Sequence, residues 1–249
     1  MGRAVAECLA GEGARVAVLA RGRDALDATV DALRALGSPD AVGLQVDVTK
    51  AGDVDAAFGE LAGRWGALNV LVNTVGPAAG RFEQLRDEDW ITAFELGTMA
   101  AVRCVRAALG LLRAAEWGRV VNVSAHSTQR QSEILPAYTA SKAALTSVSK
   151  NLARSLAPDG ILVNTVSPGT IVTASFTEAL RTVFEERGLD PADPHDVMRW
   201  IDEVFHQPAD LGRAGLPEDV ATTVTFLASR RNNYVTGANV NVDGGSDFV

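Results

Sequence analysis

Apolar residues along this chain fall into short runs, which alternate with stretches where apolar positions recur every three or four residues. The runs predict strands at Arg15–Ala20, Val42–Val46, Leu68–Asn73, Arg119–Val123, Ile161–Val166 and Asn239–Val242. Helical periodicity predicts helices at about Arg23–Leu36, Val54–Arg64, Asp87–Ala114, Ala137–Leu156 and Pro217–Ser229. The chain opens inside a helical pattern, with Val5, Cys8 and Leu9 on one face and Gly11 and Gly13 ending it. Strands rich in Val, Leu and Ile, separated by helices, read as a parallel sheet covered on both faces. One domain spanning residues 1–249 is expected. The opening helix is unusual, because a first helix needs a sheet to pack against and α/β chains normally begin with a strand.

One segment breaks the alternation. Phe176, Leu180, Val183 and Phe184 share one helical face, and Val197, Trp200, Ile201, Val204 and Phe205 share another. The turn-rich GLDPADPHD lies between them. Two amphipathic helices inserted over about 174–210 predict a lid across the sheet's carboxyl edge, where ligands bind in such folds. Plain packing against the sheet explains the same pattern.

Composition narrows the function. The 249 residues are 47% hydrophobic and 22% charged, an ordinary globular balance. A net charge of −8 argues against nonspecific nucleic-acid binding. No apolar run approaches membrane-spanning length. Cys8 and Cys104 form neither a metal-spaced cluster nor a disulfide framework, so a cytoplasmic protein without a metal site is expected.

Tyr138 and Lys142, in AYTASKAAL, stand four residues apart and share a helix face. An adjacent ammonium favours phenolate and would lower the Tyr138 pKa, making it a usable acid/base; a half-buried Tyr beside a surface Lys is the plainer reading. Four further stretches accompany the pair. VDV at Val46–Val48 and LVNTVG with Asn73 and Gly76 end strands, as does VNTVSPGTIVT with Pro168, Gly169, Ile171 and Thr173. The fourth, GRAGLPEDVATTVTFLAS, leads to a closing YVTGANVNVDGG.

Together, in this order and spacing, these stretches resemble the short-chain dehydrogenase/reductase (SDR) family, in its 3-oxoacyl-ACP-reductase-like form. The resemblance runs from Gly2 to Gly245 apart from the lid. It implies a Rossmann-like doubly wound sheet and a nicotinamide cofactor. Tyr138 would exchange a proton with a carbonyl or alcohol, tuned by Lys142, which would also bond the nicotinamide ribose. Asp47 and Val48 would sit by the adenine, with Asn73 and Gly76 along the adenosine ribose. Pro168 and Gly169 would shape the strand exit, and Ile171 and Thr173 would hold the carboxamide and phosphates. A small-molecule carbonyl or alcohol is the implied substrate, fairly apolar to judge from Phe176, Phe184, Trp200 and Phe205. Similar proteins pair through the helices Asp87–Ala114 and Ala137–Leu156 and through their C-terminal strands, so a homodimer or homotetramer is expected; Val102, Val105 and Leu109 fit such an interface or the core.

Cofactor choice follows from local chemistry. NAD-binding relatives carry an acidic residue about 20 residues past the glycine loop. Ala20 takes that place here, and Arg21 follows with a charge-assisted partner for a 2′-phosphate. NADP is therefore expected, with NAD the lesser alternative.

The family pattern also fails in places. Of its glycine-rich loop only the last glycine has a counterpart, Gly2, and the strand ahead of that loop is missing. Loss of that strand would split the sheet and leave Arg15–Ala20 with an unpaired inner edge. The expectation is that Met1 is an internal residue of a chain about 12–20 residues longer. Gly97 stands where the family has an active-site Asn, and Ala125 where it has a Ser that bonds the substrate oxygen. Ser127 is the expected substitute if the chain stays extended there, with Ser124 pointing away. These departures keep a second reading open, a relative that binds a dinucleotide or partner without turnover. A sugar-nucleotide epimerase sharing the Tyr-x-x-x-Lys pair fits less well, because the short end in VDGG leaves little room for a sugar-binding domain.

Overall fold

The structure, a computed structural model, describes residues 1–246; the last three positions of the expected domain lie outside them. Helix α1 (Gly2–Gly11) opens the chain and leads to β1 (Val16–Ala20), α2 (Arg23–Ala35), β2 (Ala41–Gln45), α3 (Ala51–Trp65) and β3 (Val70–Asn73). Helices α4 (Asp87–Phe94) and α5 (Ala100–Ala114) precede β4 (Gly118–Val123), α6 (Pro136–Leu156) and β5 (Ile161–Pro168). Then come α7 (Ala174–Glu185), α8 (Pro194–Phe205), α9 (Pro217–Ala228) and β6 (Asn239–Val242).

All strand pairs are parallel. β1 pairs with β2, and β3, β4, β5 and β6 follow one another in that order. β4 is buried at every residue, as its GRVVNV sequence between two helical layers requires. One layer joins α3, α5 and the end of α6 over Leu44, Val120, Ile161 and Val163. The other sets α1 and α9 against Val121, Val123 and Val166, while α1 and α2 share a core with Val16 and Ala41. This is the expected Rossmann-like doubly wound arrangement. The expected split is present as well: among the described residues β1 and β3 do not pair, and a cavity of about 870 Å³ lies between their facing edges.

The helix expected as continuous over Asp87–Ala114 is broken. Residues Glu95–Met99 form a wide π-turn that carries Gly97 into contact with α6. Thr98 Oγ1 donates to the Ser141 carbonyl at 2.7 Å and fastens the turn there. The pairing readings also change, because Val105 is buried and Leu109 packs against the same core. Ile91 and Phe94 on α4 are the exposed apolar side chains of that region.

Helices α7 and α8 form where the insertion predicts them. Thr173 Oγ1 accepts from the Phe176 amide at the head of α7, and the Asp193 carboxylate caps α8 ahead of Pro194. Their aromatic rings pack on one another, Phe184 on Trp200 at 5.2 Å and Trp200 on Phe205 at 5.3 Å between centroids. Phe184 is fully buried there. Phe184 and Trp200 are therefore buried in this packing, while Phe176 and Phe205, packed on the same cluster, are half-buried.

Candidate active site

Pro136 starts α6, whose first turn presents Tyr138 and, one turn on, Lys142. Lys142 is 1% exposed, and an ammonium so placed must be bonded or neutral. Its Nζ donates to the carbonyls of Val75 at 2.8 Å and Val123 at 2.7 Å, just past β3 and at the end of β4. Two of its three N–H groups are thus used. Gly76 closes over the pair: a Cβ there would lie 3.5 Å from the Tyr138 ring and 3.4 Å from Lys142 Cε. These are ordinary van der Waals distances, so the chain at the β3 exit passes directly over the phenol and ammonium.

The electrostatics run opposite to expectation. Burial pushes the Tyr138 phenol above its ordinary value and the Lys142 ammonium down to about 8. The cause is desolvation, which disfavours the charged form of each group. Lys142 is engaged with carbonyl dipoles, and desolvation of Tyr138 outweighs any help from it.

A second set of bonds ties the strands to α6. Ser149 Oγ donates to the Leu145 carbonyl at 2.7 Å, so it accepts from Asn122 Nδ2 at 2.8 Å. That orientation leaves the Asn122 side-chain oxygen to accept from Asn73 Nδ2 at 2.8 Å. Asn122 and Ser149 are absent from the residues expected by sequence. Their signal was a polar residue in the middle of an apolar, fully buried strand, which must find a partner.

Of the expected cofactor residues, Gly2, Arg21, Asp47, Val48, Asn73 and Gly76 all line the cavity that runs up between β1 and β3. Among the described residues Arg21 makes no salt bridge, and Gln45 Nε2 holds its carbonyl at 2.9 Å. Asp47 turns its carboxylate onto Thr49, whose amide and hydroxyl hold it below the usual carboxylate range. Pro168, Gly169, Ile171 and Thr173 lie at the neighbouring strand exit. A Cβ on Gly169 would meet Asp243 Cα at 2.8 Å, and Ile171 bridges to Gly215.

Ser127 needs correction. The chain is not extended at this point: His126–Thr128 form a 3₁₀ turn, and Ser127 is buried with its Oγ accepting from Thr139 Oγ1 at 3.0 Å. Ser124 faces α6, donating to the Lys142 carbonyl at 3.0 Å. Ala125 is buried between them.

Gly97 also receives its physical reason. A Cβ there would fall 2.2 Å from Ser141 Oγ and 2.7 Å from Ser141 Cβ, so Ser141 fills the space a side chain would need. Gly97→Ala is expected to lower stability by about 1–3 kcal/mol. Adding Ser141→Gly should restore more than half of the loss, as read by denaturant unfolding of both variants.

A family model described as enoyl-(acyl carrier protein) reductase matches residues 1–247. Short-chain reductase protein NovJ of Streptomyces niveus is 32% identical over 98% of this chain and 89% of its own length. The 3-oxoacyl-[acyl-carrier-protein] reductase FabG of Staphylococcus aureus is 30% identical, over 98% of this chain and 93% of its own. Among solved structures, L-sorbose reductase of Gluconobacter frateurii with NADPH and L-sorbose superposes with a TM-score of 0.90 at 30% identity. That alignment covers 99% of this chain and 92% of the reductase. An actinorhodin polyketide ketoreductase with NADPH gives a TM-score of 0.87 at 28% identity, covering 99% and 93%. The chain belongs to the short-chain dehydrogenase/reductase family. Within it, the protein is an NADP-dependent oxidoreductase of carbonyl/alcohol pairs, and a relative without turnover is not the favoured reading.

Proposed function

We propose that this oxidoreductase reduces a small carbonyl compound with Tyr138 as the proton donor and Lys142 as the group that holds and tunes it. The observation that carries this is the Lys142 ammonium clasped between the Val75 and Val123 carbonyls, beside the Tyr138 ring and under Gly76. NADPH, when bound, supplies the hydride. At the carbonyl oxygen, which would gain charge as the carbon is reduced, Tyr138 would give up its phenolic proton. The resulting phenolate is stabilised by Lys142, whose remaining N–H is available to a ribose hydroxyl. A phenol whose pKa is raised by burial stays protonated at neutral pH and is ready to act as the acid.

For the cofactor, the residues present fit. Gly76 leaves the approach to Tyr138 and Lys142 clear of a side chain, and Asn73 is held in one orientation by Asn122. Arg21 carries a charge without a salt bridge where a 2′-phosphate would lie, and Asp47 with Val48 flanks it across the cavity. Gly2, Pro168, Gly169, Ile171 and Thr173 complete the proposed set along the carboxyl edge. Arg21→Ala is expected to weaken NADPH binding by about 10- to 100-fold and leave NADH binding within about twofold. Fluorescence titration of both cofactors reads the difference. In this scheme Ser127 acts indirectly, steadying the first turn of α6 through Thr139.

Helices α7 and α8 are proposed as the lid, with Phe176 as its apolar contribution to the substrate side. The α4 face with Ile91 and Phe94 is the proposed surface for pairing two copies. Among the described residues no helix is long and apolar enough to cross a membrane, and both cysteines are free. Free thiols suit the reducing cytoplasm we propose. The test of the activity is NADPH consumption followed across ketones graded from aliphatic to polyhydroxylated. Turnover with at least one series supports the reading, and NADPH binding with no turnover across the whole panel overturns it.

A further inference from the structure

Helices α7 and α8 belong to a body with a core of its own. The two ends of the segment are pinned side by side, with the Val172 amide donating to the Gly215 carbonyl and the Gly215 amide to the Thr170 carbonyl, each at 2.9 Å. Between them Phe184, Val197, Met198 and Trp200 close an apolar cluster to which, among the described residues, no strand contributes. Such burial keeps the two helices together and does not by itself fix them on the sheet. Two hydrogen bonds among the described residues reach from residues 174–208 to the chain outside 170–215. Arg130 Nη2 donates to the His206 carbonyl at 3.4 Å, and Gln207 Nε2 donates to the Gln131 carbonyl at 3.5 Å. Both are long for such bonds, and both fall where α8 ends.

His206 ends α8 in the left-handed region, at φ 52° and ψ 39°, a conformation that strains a residue with a side chain. The last carbonyls of a helix lack intrahelical partners and carry the negative end of its dipole, so a guanidinium is a favourable cap there. Arg130 supplies it from another element. Its Nη1 donates to the Ser246 carbonyl at 2.6 Å, which sets the guanidinium against the segment that follows β6. The loop that carries Arg130 is itself anchored beside the β3 exit. Glu133 pairs with Arg81 at 2.8 Å, and the Ile134 carbonyl accepts from the Gly80 amide at 3.0 Å. The same loop runs into Pro136, where α6 begins and presents Tyr138. We propose that Arg130 is a positioning residue, which clasps the end of α8 and so holds the lid over the space before Tyr138. The inference rests on the reading of α7 and α8 as the lid. The short bond fixes the guanidinium and the long one gives: as His206 leaves Arg130, the lid swings about its pinned ends and substrate and product pass.

The test compares the full chain with Arg130→Met, which keeps the apolar stem, and with Gln207→Ala, which cuts the other tie from the lid side. Residue-resolved hydrogen exchange is read first, without substrate. In Arg130→Met the amides of Val204, Phe205 and His206 should exchange about fivefold faster or more, while that of Leu145 in α6 holds its rate. Steady-state kinetics then use the ketone of the graded panel with the highest turnover. KM for that ketone should rise by about 10- to 30-fold in Arg130→Met and about threefold in Gln207→Ala, with kcat held within about threefold and NADPH affinity within about twofold. Three results overturn the proposal: unchanged exchange at the end of α8 in both variants; a fall in kcat with KM unmoved; or a joint rise in KM and in the NADPH dissociation constant, which marks collapse of the whole carboxyl edge. Because exchange needs no substrate, the clasp and the reductase reading fail separately. Faster exchange at the end of α8 in a protein that reduces no ketone keeps the clasp and removes the activity.

Discussion

Tyr138→Phe is expected to lower NADPH-dependent carbonyl reduction by about 10²–10⁴-fold, the range that loss of a positioned proton donor produces. The variant keeps the ring that lies 3.5 Å from the Cβ position of Gly76 and removes only the hydroxyl. NADPH affinity should therefore stay within about twofold, and the loss should fall on kcat rather than on cofactor binding. Stability should change little or rise slightly, since one partly buried hydroxyl is deleted. Stopped-flow measurement of NADPH oxidation beside a binding titration separates these effects. Unchanged kcat with intact binding would remove Tyr138 from the chemistry.

The strands were legible because burial on both faces forces continuous apolar runs, and Arg119–Val123 is the clearest of them. Their ends were less so: β3 begins at Val70 rather than Leu68, and β5 runs on to Pro168. The break between α4 and α5 was hidden because nothing local marks it. Its cause lies in the fit of Gly97 against Ser141 and the Thr98 bond to α6, contacts between residues more than forty positions apart. Ser127 was misread for a related reason. The alternation rule holds only in an extended chain, and the 3₁₀ turn at His126–Thr128 removes it. Spacing alone placed Tyr138 and Lys142 on one face, yet it said nothing of the two carbonyls that hold the ammonium. That depends on where β3 and β4 end beside α6, and with it the direction of both pKa shifts.

Lys142 yields the second large effect, a change in how stability depends on pH. Burial lowers its pKa to about 8 in the folded protein, from 10.5 when unfolded. Below about pH 8 both states hold the proton, so the desolvation cost is fully present and adds no slope. Between these two values the unfolded chain binds more protons than the folded one, and stability contributed by this residue rises with pH. Above 10.5 the cost is gone. The slope approaches about 1.4 kcal/mol per pH unit at most. Cys104, pushed up to about 11 from 9.0, acts with the opposite sign, because its unfolded thiol loses its proton first. Tyr138, also raised, acts in the same direction as Cys104 at higher pH. Comparison with Lys142→Met cancels these two contributions and isolates the ammonium. From pH 8.5 to 9.5, in the absence of cofactor, the original protein should gain about 1 kcal/mol relative to the Met variant, read from urea unfolding at each pH. Parallel stability curves for the two proteins would show that burial does not lower the Lys142 pKa in the folded protein, the Val75 and Val123 carbonyls offsetting its desolvation.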